Sequence, residues 1–99
     1  MTKQIWIDGH HSVQAFLSMI HKHPGTGSSV QAAKLLVSAI FDEGNFRLCR
    51  MSSFDTKNSE HALNILKALC CYSGEFRTAV AKAHVVQLTE LRHKLSKDS

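Results

Sequence analysis

KLLVSAIFDEGNFRLCRMSSFD, residues 34–55, is the stretch on which the fold turns. It opens as an apolar helical run and meets Gly44. Phe46 and Leu48 then stand two apart and Met51 and Phe54 three apart, with Arg47 and Arg50 between them. A strand here would need a partner strand, whereas a connector would simply return the chain between two helices. The period-two alternation covers only three residues, short of an ordinary strand. The other strand-like segment, Ile5-Trp6-Ile7, is equally short. The favoured reading is an extended connector leading into a single helical turn at residues 52–55. An α+β fold in which residues 4–7 pair with 46–49 is the alternative.

Upstream of the connector, Ala33, Leu36, Val37 and Ile40 recur at helical spacing, and Leu35, Ala39 and Phe41 widen the stripe beyond one face. A helix so apolar belongs at the centre of the molecule. Gly44 suits the left-handed position that ends it, and Asn45 follows as a second turn former. The cluster Pro24-Gly25-Thr26-Gly27-Ser28-Ser29 precedes it and offers Ser28 or Ser29 as N-cap. Before that cluster, Val13, Phe16, Leu17 and Ile20 mark a first helix, capped by Asp8 or Ser12.

Downstream, Asp55, Thr56 or Asn58 can cap a third helix whose apolar face carries Ala62, Leu63, Leu66, Leu69 and Cys70. A fourth runs from Glu75 to about Leu95, with two offset apolar sets: Phe76, Val80, Ala83 and Val86, then Val85, Leu88, Leu91 and Leu95. A helix of that length is ~30 Å long, so its C-terminal half is expected to protrude, fray or pack on another chain.

The expected fold is therefore all-α: a compact four-helix domain over residues 1–99, with a short extended connector between helices two and three. The helices are placed at 12–22, 28–43, 58–71 and 75–95. The expected core is Leu36, Val37, Ile40, Phe46, Leu63, Leu66, Leu69, Phe76 and Val80.

Bulk properties narrow the function. Of the 99 residues 43% are hydrophobic and 20% charged, the composition of an ordinary globular domain. The longest apolar runs are far short of the ~20 residues of a membrane span, and the amino terminus has no signal-type apolar segment, so a cytoplasmic protein without membrane contact is expected. Three cysteines, two of them adjacent at Cys70 and Cys71, do not form a paired framework. At least one of that pair is expected in the core. The net charge of +4 is weighted toward residues 61–99, and a solvated face explains so small an excess without a nucleic-acid groove.

Seven histidines raise the question of a metal. His10-His11 and His21-x-His23 sit at opposite ends of the expected first helix, about 15 Å apart. Glu90-x-x-His93 has a di-iron spacing but lacks the second such pair and the two further glutamates that such bundles require. Cys49, Cys70 and Cys71 form no C-x-x-C pair, so no metal or other cofactor is expected. The glycine turn at 24–29 lacks the lysine and the preceding strand of a phosphate-binding loop. Cys70, Gly74 and Val80 trace the skeleton of a helix-turn-helix, but Glu75 would face the phosphates, and a plain αα-hairpin fits better. No catalytic constellation stands out, and the chain is expected not to be an enzyme.

Over residues 27–69 the chain resembles an uncharacterised family of small proteins carried on bacterial plasmids and integrative elements. The matching positions are Gly27-Ser28, Ala33, Leu35-Leu36 and Ala39, then Phe46-x-Leu48, Phe54-Asp55, Leu63 and Leu66. Arg47 stands where that family has an acidic residue, and Phe41 where an asparagine is common. The resemblance implies a mobile-element setting and transfers no activity. The expected role is a stoichiometric regulator or inhibitor docked on a larger protein or ribonucleoprotein complex, with a host defence assembly such as a CRISPR effector as the kind of target. Trp6, Arg47, Arg50, Arg77, Lys82, Arg92 and Lys94 are the expected partner-binding residues, since interfaces favour aromatic and arginine anchors. The alternative is weak, electrostatic nucleic-acid binding through the basic C-terminal helix. Homodimerisation through the fourth helix is possible in either case.

Overall fold

Residues 46–55 are a connector, and most of it is helical rather than extended. In the computed structural model, which describes residues 2–43 and 46–98, a 3₁₀ helix covers Leu48–Ser53, flanked by extended backbone at Arg47 and Phe54. The helical turn thus lies earlier than residues 52–55. The connector carries two aromatic rings to the core. Phe54, buried, stacks on Phe16 with ring centroids 5.5 Å apart, and Phe46 stacks on Phe54 at 6.5 Å. Residues 2–22 form one continuous helix, so the ribbon between 4–7 and 46–49 does not exist. Gly44 and Asn45, and with them the expected left-handed glycine, lie outside the described residues.

The described residues form five α-helices and no strand: α1 (Thr2–Lys22), α2 (Gly27–Phe41), α3 (Thr56–Tyr72), α4 (Gly74–Ala83) and α5 (Val85–Asp98). α1 begins ten residues before the expected start, so Asp8 and Ser12 are interior positions rather than caps. Tertiary packing sustains the added turns. The Trp6 ring meets Tyr72 edge-on at 4.9 Å and Phe76 at 5.7 Å, which ties the first turns of α1 to the far end of α3 and the start of α4. α2 is capped by Thr26 and not by Ser28 or Ser29: the Ser29 amide donates to Thr26 Oγ1 at 3.3 Å. It ends at Asp42, which takes the left-handed conformation (φ 55°, ψ 39°) that short polar side chains tolerate.

Asp55 caps α3, accepting from the Asn58 amide at 2.8 Å. The buried face of α3 is Ala62, Ile65 and Ala68. Leu66 and Leu69 are only half-buried beside it. Leu63, expected in the core, is 49% exposed, and Cys70 and Cys71 are both exposed. The reason lies in α1, which packs antiparallel on α3 along the small residues. A Cβ on Gly9 would stand 2.6 Å from Ala68 Cβ and 3.0 Å from the Phe76 ring. Two helices that approach this closely turn the neighbouring leucines aside.

The expected fourth helix is two helices. α4 ends at His84 (φ −130°, ψ 37°) and α5 starts immediately afterwards. On one straight helix, Val80 and Leu88 would point roughly 80° apart. The break lets both be fully buried, so the C-terminal half folds back on α2 instead of protruding. Between α3 and α4 stands the single residue Ser73, with φ 45°. That corner is shorter than the turn of a helix-turn-helix, and the exposed Cys70 cannot serve as its buried small residue. The resulting core centres on Val13, Phe16, Leu36, Ile65, Phe76, Val80 and Leu88.

Candidate interaction surface

Of the two buried polar side chains, Ser29 lies on α2 and Ser12 sits between α1 and α3, where it meets two half-buried polar residues of α3. Ser12, 1% exposed, has its Oγ 2.9 Å from His61 Nδ1, and Asn64 Nδ2 donates to the same oxygen at 3.2 Å. Burial holds His61 below the usual imidazole range, and Lys57 adds to this against the opposing Glu60 and Asp55. The pairing of a hydroxyl with an imidazole has the form of an activated nucleophile. Ser12 is sealed between the helices, however, so the pair acts as a polar clasp. One turn away, the His10 ring lies against Trp6 at 4.8 Å and Phe76 at 5.0 Å, with its Nε2 buried and unpartnered. Burial, and then the neighbouring His84, push His10 below its ordinary range. Sequence reading passed over Gly9, Ser12, His61 and Asn64 as a group, because their only signal is a register between two helices that had not yet been placed side by side.

The seven expected contact residues do not form one patch. Trp6 is half-buried and committed to the aromatic cluster. Arg77 and Arg92 brace the C-terminal end of α2. Arg77 Nε donates to the Ile40 carbonyl at 3.1 Å, and Arg92 makes a two-pronged pair with Glu43, its Nε donating to Oε2 at 2.7 Å and its Nη2 to Oε1. The Arg92 guanidinium also lies 4.9 Å from the centre of the Phe41 ring. The hydrogen bond to Glu43, and then its charge, raise the Arg92 pKa above the ordinary value. This is the one ion pair among the described residues. Arg47 and Arg50 are exposed on the 3₁₀ segment, Lys82 is exposed on the last turn of α4, and Lys94 is exposed on α5.

Lys94 stands at an apolar recess. Between the α1–α2 turn and α5 lies a groove of about 80 Å³ with walls from Ile20, Pro24, Val30, Ala33, Leu91 and Leu95. Val30 is among the few large apolar side chains left exposed, at 36%. Leu91 and Leu95 are one turn apart on the same face of α5, and the break at His84 is what brings that face down onto α2. A wider and shallower depression of about 250 Å³ lies between α1 and the start of α5, bordered by Gln14, Ser18, His21, His84 and Gln87. No three His, Cys, Asp or Glu side chains among the described residues converge as metal ligands, and no helix among them is long and apolar enough to cross a membrane.

No family model, curated protein or solved structure matches the chain.

Proposed function

We propose that the protein works stoichiometrically, as a small regulator or inhibitor that docks on a larger protein or ribonucleoprotein complex. The observation that carries this reading is the open apolar groove beside the α1–α2 turn, with Lys94 in its lining. Exposed apolar surface next to unpaired cationic side chains is the composition of an interface core and its rim. Arg47, Arg50 and Lys82, exposed and without ion pairs among the described residues, add to the cationic surface. The resemblance over residues 27–69 supplies the setting, a bacterial mobile element, and a host defence effector is the class of target.

Nucleic-acid binding is the second reading, favoured by the exposed Lys82, Lys94 and Lys97. It is weakened by Arg77 and Arg92, whose guanidinium groups are occupied by Ile40 and Glu43. Val85 and Val86, 58% and 65% exposed at the α4–α5 corner, are where a second copy would meet the expected fourth helix.

The deciding experiment is capture from a bacterial lysate on immobilised protein, with and without nuclease, analysing both protein and nucleic acid. A partner recovered at fixed stoichiometry after nuclease treatment supports docking on protein. Recovery that vanishes with nuclease and with rising salt moves the function to nucleic acid. Recovery of neither at low salt overturns both readings.

A further inference from the structure

We infer that the groove between the α1–α2 turn and α5 receives a single apolar side chain from an acidic peptide segment of the partner. This deepens the docking reading and rests on it.

Size comes first. A volume of about 80 Å³ is well below the ~300–1,000 Å³ of small-molecule sites. It suits one aliphatic or aromatic anchor and not a cofactor or an acyl chain. The walls are Ile20, Val30, Ala33, Leu91 and Leu95, and Ser29 at the base has its hydroxyl turned to the Met19 carbonyl at 3.4 Å. The lining therefore presents an apolar surface to the anchor.

Charge decides what flanks the anchor. From Gly9 to Phe41 the chain contains no Asp or Glu, while Lys22 and Lys34 lie within that span and Lys94 lines the groove from α5. The first turn of α2, which forms one wall, has no acidic side chain to offset the positive end of the helix. Glu90, one turn before Lys94, neither lines the groove nor pairs with it. A carboxylate next to the anchor residue therefore meets Lys94, the one charged side chain in the lining, and a lysine there is repelled.

The test is selection of binders from a random peptide library displayed on phage, using the full chain as bait. Recovered sequences should pair a large apolar residue with Asp or Glu within a few positions. Val30→Glu, at an exposed position, should abolish their binding, and Lys94→Glu should weaken it by about tenfold, with both variants keeping the wild-type circular dichroism. Three outcomes overturn the inference: no binders, binders without acidic enrichment, or binding that survives Val30→Glu. Self-association of the wild type that Val30→Glu removes also overturns it, by giving the groove to a second copy. A lysate partner captured equally by wild type and Val30→Glu leaves the docking reading standing and removes only the groove. Capture of nothing by either protein removes the docking reading itself.

Discussion

Gly9 is the residue on which the helix pair α1–α3 closes. Alanine there gains about 1 kcal/mol of helix propensity, yet its methyl would press on Ala68 Cβ and the Phe76 ring, both fixed in the core. Overpacking of this kind costs about 1–3 kcal/mol, so Gly9→Ala should be neutral to destabilising by about 2 kcal/mol in urea unfolding. A clear stabilisation would mean that the helices are further apart. Ser12→Ala should cost about 1–3 kcal/mol, because it strips the Asn64 amide of its acceptor and His61 Nδ1 of its partner inside the interface. The single tryptophan reports on His10. A protonated imidazole quenches an indole beside it, and the His10 ring lies 4.8 Å from Trp6. Trp6 emission should therefore fall on acidification with a midpoint below 6.5, since burial and His84 both lower the His10 pKa. His10→Gln should abolish the step.

At the scale of elements, the caps separate what can be read in sequence from what cannot. The position of the α3 cap is legible to within the three candidates Asp55, Thr56 and Asn58, because they precede an apolar run, and the structure selects Asp55. Asp55→Ala should lower stability by about 1 kcal/mol through loss of its bond to the Asn58 amide. Thr26 is less legible, since three hydroxyl residues crowd the turn and only backbone geometry selects among them. The centre of α2 is plain from its wide apolar stripe. The early start of α1 is hidden because Ile5-Trp6-Ile7 has no helical period of its own and gains its conformation from Tyr72 and Phe76, which are distant in sequence. The break at His84 carries neither Gly nor Pro. Its only trace is the offset between the apolar sets of Phe76 and Val80 and of Leu88 and Leu91, which shows that the stripe must turn but not that the helix ends. The leucines of α3 mislead in the opposite sense, because Ala62 and Ala68 win the interface by being small.

For the whole molecule, the two perturbed histidines act in the same direction. The folded-state pKa of both His10 and His61 lies below the ordinary 6.5. Between the folded and unfolded values the unfolded chain binds more protons, so stability rises with pH in that window. The contribution is complete above about pH 6.5 and is lost as pH falls through the folded values. Thermal midpoints should therefore drop on acidification through this range, and the double variant His10→Gln, His61→Gln should flatten the dependence. As for the candidate interaction surface, its charges are visible in the sequence, but the groove exists only once α5 has folded back, so no local pattern announces it. The break at His84 also sets a mechanical hierarchy. α5 is joined to the rest through Leu88, Leu91 and the Arg92–Glu43 pair, whereas α1 and α3 are locked by a close crossing and a polar clasp. Amides of α5 should exchange with deuterium well before those of α1 and α3, and Arg92→Ala should widen that gap. In the docking proposed above, the α5 jaw of the groove is then the compliant one, so anchors of different bulk would be accommodated by displacing α5, and binding would tolerate sequence drift in the partner.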